Sequence, residues 1–275
     1  MSLTRKVLLV ATLALPLPAL AGGVLVLEVK EYYEDPPVVS TIEISTREDA
    51  TRMEVATPGR QESGGTIYRG DSGEMIVLDH GNETYYVLDE ASMQQMGAQL
   101  SGAMKQMQEA LEAMPPEQRA MAEKMMKQHM PQGTGQPQPP PATVHALDRE
   151  DTVSGFECDY YEVRRADRKI RELCVTPWEE IPGGRDIADA MLDMAGFFDR
   201  MTSALSKETG IAVMGGQQEI FAHLEELDGY PVLTREFDRG GAVASESVLK
   251  SATAEELDPS VFEPPTGYRE MSAGF

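Results

Sequence analysis

The sequence predicts an α+β fold, a large antiparallel sheet interrupted by helices, and three observations predict it. Short runs of β-branched and aromatic residues separated by Gly, Pro, Asn and Asp fill residues 22–90 and recur after residue 143. Between and after those runs, at 90–130 and 185–210, the apolar positions switch to spacings of three and four, the period of an amphipathic helix. The only two cysteines, Cys158 and Cys174, flank a polar turn at Arg165-Ala166-Asp167-Arg168 in the middle of two strand-like runs.

The chain opens MSLTRKVLLVATLALPLPALA, with a basic pair at Arg5 and Lys6, an apolar run from Val7 to Leu17 and small residues at Ala19 and Ala21. This predicts a secretory signal peptide over 1–21, with Gly22 as the first mature residue. Pro16 and Pro18 interrupt the run well short of the ~20 apolar residues of a spanning helix. No later segment is long and apolar enough to span a bilayer, so no membrane span is expected.

Strands follow at Gly22 to Tyr33, Val38 to Thr46 and Thr51 to Ala56, with Pro58-Gly59 and Gly64-Gly65 as loops. Glu74 to Asp79 and Glu83 to Leu88 form a hairpin around His80-Gly81-Asn82. Met93, Met96, Leu100, Met104, Met107, Leu111 and Met114 form one helical stripe, which Pro115-Pro116 ends because the residue before a proline is pushed out of the α region. A second helix carries Met121, Met125, Met126 and Met130, and residues 131–142 are a Pro/Gln/Gly linker. Residues 22–275 therefore read as one domain with a helical insertion at 90–130.

Strands resume from Thr143 to Arg149 and lead into the cysteine hairpin. Mirrored about Ala166, Cys158 and Cys174 are expected directly opposite each other, at a Cα separation of ~4.5–5.5 Å that suits a disulfide. Asp186 is expected to cap a further helix with the stripe Ile187, Met191, Met194, Phe198, Met201 and Leu205. Gln217 to Leu227 leans helical. A last hairpin, Pro231 to Asp238 and Ala242 to Ser251, precedes an extended tail with Phe262 and Tyr268 as anchors.

Charge restricts the function classes. There are 24 Lys+Arg against 46 Asp+Glu, and loss of Arg5 and Lys6 with the leader takes the formal charge from −22 to −24. That field repels phosphate backbones, so no nucleic-acid partner is expected. Export favours a disulfide over a zinc half-site or redox pair, since no C-x-x-C and no further Cys are present.

No motif discloses a reaction, and no cofactor is expected. Gly70-Asp71-Ser72-Gly73 is a turn; a protease of chymotrypsin order needs its His before the Ser, and the first His is His80. His80, His129, His145 and His223 are scattered, and His80 and His145 read as surface residues. Arg164, Arg165, Arg168, Lys169 and Arg171 form a basic cluster at the hairpin tip, where charge ordinarily protects an edge. Nine of the seventeen methionines fall between Met93 and Met130, which leaves three readings open. They are adaptable filler packed on the sheet, pliable lining of an apolar groove shared with Met191, Met194 and Phe198, or a soft-metal site for Cu(I) at Met125, Met126, His129 and Met130.

The strand GGVLVLEVKEYY, the pair EMIVLD and ETYYVLD, the spacing G-x-x-C-x-x-Y-x-V (Gly155, Cys158, Tyr161, Val163) and the tail D-P-x-x-F-x-x-P-x-G-Y (Asp258, Pro259, Phe262, Pro265, Gly267, Tyr268) resemble an exported family, domain of unknown function 4412. That family is similar to the periplasmic lipoprotein carriers LolA and LolB. The resemblance implies an incomplete, strongly curved antiparallel β-barrel with helices on its concave face, able to hold acyl chains. The Met-rich insertion and the absence of a lipobox Cys depart from the pattern. The resulting expectation is a non-enzymatic periplasmic binding protein for a hydrophobic ligand or an envelope protein segment. The alternatives are a Met-rich copper-handling protein and an interaction protein of the cell envelope without a small ligand.

Overall fold

The computed structural model describes residues 22–59, 64–115, 118–119, 140–209 and 226–271. Twelve strands form one sheet in the order β12-β6-β5-β4-β3-β2-β1-β11-β10-β9-β8-β7. They are β1 (Gly23–Glu31), β2 (Val38–Arg47), β3 (Ala50–Ala56), β4 (Gly64–Arg69), β5 (Glu74–Asp79), β6 (Thr84–Leu88), β7 (Ala142–Val153), β8 (Phe156–Arg165), β9 (Arg168–Pro177), β10 (Gly229–Phe237), β11 (Val243–Ala254) and β12 (Arg269–Glu270). All neighbours are antiparallel except β12, which runs parallel to β6. The sheet does not close, since β7 and β12 end it on opposite sides.

Among the described residues two long helices accompany the sheet, α1 (Glu90–Glu112) and α2 (Gly184–Thr209). α1 begins with a reciprocal cap: Asp89 Oδ1 accepts from the Ser92 amide at 2.7 Å while the Asp89 amide donates to Ser92 Oγ at 2.8 Å. α2 starts two residues earlier than the Asp186 cap expected from the sequence, at Gly184. A Cβ there would stand 2.1 Å from the Trp178 carbonyl oxygen, so only glycine lets the chain turn this closely into the helix. α2 lies against β1, β2 and β3, with Ile187, Ala188 and Met191 in the same buried cluster as Leu25, Leu27 and Ile44.

Three expectations are corrected. Gly64 and Gly65 are not a loop but open β4. A Cβ on Gly65 would meet the Glu54 carboxylate at 2.5 Å, so the glycine marks a close approach across strands rather than a turn. The 131–142 linker ends sooner than expected, because Ala142 already pairs with Arg165 in β7; residues 131–139 lie outside the described residues. The cysteines are bonded, with Cα atoms 5.3 Å apart, but they are not directly opposite. The turn at the tip is tighter than a mirror about Ala166, and a bulge between Val163 and Arg164 shifts the register again. Cys174 therefore faces Tyr160, and Cys158 reaches it diagonally.

The signal-peptide segment 1–21 and the second Met-rich segment also fall outside the described residues. Among those described, no helix is long and apolar enough to cross a membrane.

Candidate binding site

A cavity of about 410 Å³ lies between α2 and the sheet. Its lining comes from eight consecutive strands, β5-β4-β3-β2-β1-β11-β10-β9. In a flat sheet at about 4.8 Å per strand, the outermost two would stand roughly 34 Å apart. That they share one cavity shows that the sheet is curved, with its inner face turned onto this space.

Backbone register orders the lining into rows. At one end is Thr51, which pairs with Thr46 and through it with Gly23. The next rows hold Ile44 and Met53, then Leu27 and Ile42, then Val29 with Ser247, Thr234 and Leu173. At the other end are Arg171, Glu236 and Ser245, in register with Glu31. From Gly23 to Glu31 is eight steps along β1, about 26 Å at 3.3 Å per residue. A volume of 410 Å³ over that length is a narrow channel with an apolar middle and a polar end.

Two features of the lining bear on chemistry. Thr51 is 2% exposed, and its Oγ1 has no hydrogen-bond partner among the described residues. An unsatisfied buried hydroxyl costs about 1–3 kcal/mol. At the polar end Arg171 Nε donates to Glu236 Oε1 at 2.8 Å. Arg171 has no other hydrogen bond among the described residues, so its terminal nitrogens and the second Glu236 oxygen are uncommitted there.

α2 is fixed over the channel by β4. The Tyr68 hydroxyl donates to Asp193 Oδ2 at 2.8 Å, and its ring packs on Phe197 at 5.3 Å. Burial, seconded by the bond to Asp193, pushes the Tyr68 hydroxyl up to about 12, so it stays protonated throughout the physiological range. Tyr230, on the β10 wall, is buried beside Trp178, and burial raises its hydroxyl as well.

Of the groove residues expected from sequence, Met191, Met194 and Phe198 line this cavity. On α1, Met93 is buried, Met96 and Leu111 are half-buried, and Leu100 and Met107 are exposed; none of them lines it. The Met104 side chain, Met121 and Met125 lie outside the described residues. So do Met126, His129 and Met130, and with them the whole candidate copper site. Among the described residues no group of three or more His, Cys, Asp or Glu could hold a metal. The lining on β1–β3 carried no signal beyond strand alternation, and the Arg171–Glu236 pair joins residues 65 apart in the chain.

The outer face of the same strands is closed by the tail. Phe262 is buried against Ile67, Ile76 and Leu78, while Arg52 donates to the Val261 carbonyl and Arg69 to that of Phe262. His80 is not a solvated turn residue, as expected from sequence. Its Nδ1 lies 2.7 Å from the Tyr268 hydroxyl and its Nε2 2.6 Å from Glu54, tying the tail to β3. The basic hairpin tip is largely paired internally: Arg164 with Glu162, Lys169 with Glu172, Arg171 with Glu236. Gly70 to Gly73 form a turn, as expected.

A family model described as Domain of unknown function (DUF4412) matches residues 90–268. No curated protein matches the chain. Similar solved structures include an uncharacterized conserved protein from Thermus thermophilus, at 9% identity and a TM-score of 0.43 over 90% of both chains. They also include MucB, at 10% identity and a TM-score of 0.37 over 90% of this chain and 61% of that one. In the Pseudomonas aeruginosa MucA/MucB complex the figures are 8% and 0.37, over 90% of this chain and 57% of the other.

Proposed function

The chain belongs to the DUF4412 family, and from that premise we propose that it is a non-enzymatic, exported periplasmic protein that binds a hydrophobic ligand on the concave face of its sheet, beneath α2. The observation that carries the reading is the channel itself: about 410 Å³, elongated, lined through its middle by Ile42, Ile44, Met53, Met191, Met194 and Phe198. Burying apolar ligand surface there is favourable by roughly 25 cal/mol per Å² removed from water. The methionines adapt to chains of varied shape without a fixed template. The leader-like start of the sequence and the Cys158–Cys174 bond support export to an oxidising compartment.

The test is native mass spectrometry of protein extracted gently from its host, alongside Phe198→Glu, which sets a carboxylate in the channel. Co-purifying apolar adducts in wild type, lost in the variant while its melting transition is retained, are the expected result. Wild type repeatedly free of adducts, together with no uptake of an alkyl-chain probe, overturns the reading and leaves an interaction protein without a small ligand.

A further inference from the structure

The two ends of the channel differ in a way that specifies its occupant. The row at Glu31 places a cation and an anion side by side, Arg171 and Glu236, with Ser245 on the same row and Ser247 and Thr234 on the next. Arg171 Nε holds Glu236 Oε1, neither group makes a further hydrogen bond among the described residues, and with the Glu236 side chain 44% exposed the pair stands at the channel mouth. The side chains of Ser245, Ser247 and Thr234 make no hydrogen bond among the described residues, and all three line the cavity. Beyond this row the wall is apolar for most of the about 26 Å that separates the Glu31 and Gly23 rows.

A purely anionic head would meet Glu236 and a protein of formal charge −22. A purely cationic head would meet Arg171. A head carrying both signs satisfies both open groups at once, its anionic oxygens on the guanidinium and its ammonium on the carboxylate, as charge-assisted hydrogen bonds. A cavity of about 410 Å³ suits one chain behind that head rather than two. We infer that the channel takes a single-chain zwitterionic amphiphile of the phosphoethanolamine type, with its head read by Arg171 and Glu236 and its acyl chain running beneath α2 toward Thr51. This rests on the binding reading above and names its ligand class.

Lysophosphatidylethanolamine, lysophosphatidylglycerol, palmitate and dodecyl maltoside are titrated into the full mature chain below their micelle concentrations, with intrinsic fluorescence and native mass spectrometry as readouts. Lysophosphatidylethanolamine is expected to bind at least tenfold more tightly than the two anionic probes. Arg171→Gln and Glu236→Gln should each remove most of that preference while leaving maltoside affinity within about twofold, which also shows that the variants are folded. Equal affinities for all four heads, unchanged in both variants, overturn the head-group assignment and leave chain binding standing. A preference for an anionic probe overturns it too. Failure of every probe to bind overturns the parent reading instead.

Discussion

The two faces of strands β3 to β5 are built from alternating residues of the same short sequence and could hardly differ more. On β3, Thr51 and Met53 turn inward to the channel, while Arg52 and Glu54 turn outward to the tail and to His80. On β4 and β5, Thr66 and Met75 face in, whereas Ile67, Ile76 and Leu78 pack outward under Phe262. The outer face is filled, and its polar groups are partnered by the tail's backbone and by His80. The inner face carries an open volume and a hydroxyl without a partner among the described residues. The same strands thus present a closed outer side and an inner side that stays open among the described residues.

That contrast can be broken first from the outside. Phe262→Ala removes the one large side chain that seals the outer cluster, and should cost about 3–4 kcal/mol, a fall in melting temperature on the order of 10 °C. Uptake of an alkyl probe at low temperature should survive, and losing it in the folded variant would show that the faces are not independent. Next is the staple. Cys174 neighbours the channel residue Leu173 on β9 and so points to the opposite face. Cys158→Ala/Cys174→Ala should lower stability by roughly 3 kcal/mol in the chain-entropy model, read by urea unfolding. Equal midpoints with and without the bond would remove that role.

A smaller effect lies in the outer charge network. Glu172 is buried and ion-paired to Arg149, Lys169 and Arg235. Burial pushes its carboxyl up, but hydrogen bonds from Arg149 and Lys169 outweigh that and leave it below the ordinary value of 4.5. A carboxyl depressed in the folded state contributes stability that is complete above about pH 4.5 and is lost as pH falls through the folded value. Glu172→Gln should therefore cost about 1–2 kcal/mol at neutral pH and flatten the acid limb of a melting-temperature profile. An unchanged acid limb would assign that sensitivity to other carboxylates. The smallest effect has the opposite sign and comes from the inside. Thr51→Val deletes the unpartnered hydroxyl at constant shape and should raise the melting temperature by about 2–4 °C in the ligand-free protein. A fall would mean that the hydroxyl is satisfied in solution.

What the sequence made legible is what is local. Hairpins, the α2 stripe through Met191, Met194 and Phe198, and the anchoring of the tail by Phe262 and Tyr268 follow from period and turn chemistry. β4 was hidden because Gly64-Gly65 signals a turn unless the Glu54 carboxylate opposite is known. The offset of Cys158 from Cys174 was hidden by a tighter turn and a bulge, which no spacing rule announces. The α1 stripe was visible, but periodicity does not say what covers a stripe, and Leu100 and Met107 are exposed. His80 met Tyr268 across 188 residues and Arg171 met Glu236 across 65, pairings that only the folded topology brings about.

The connection from Leu88 to Ala142, which contains α1, has a consequence of its own. It leaves the sheet at β6, beside one rim, and re-enters at β7, the other rim. From β1 to β11 every other link between successive strands joins neighbours, so within that run this one alone must bridge the gape. α1 runs against α2, so the crossing sets out on the α2 side of the sheet and not behind it.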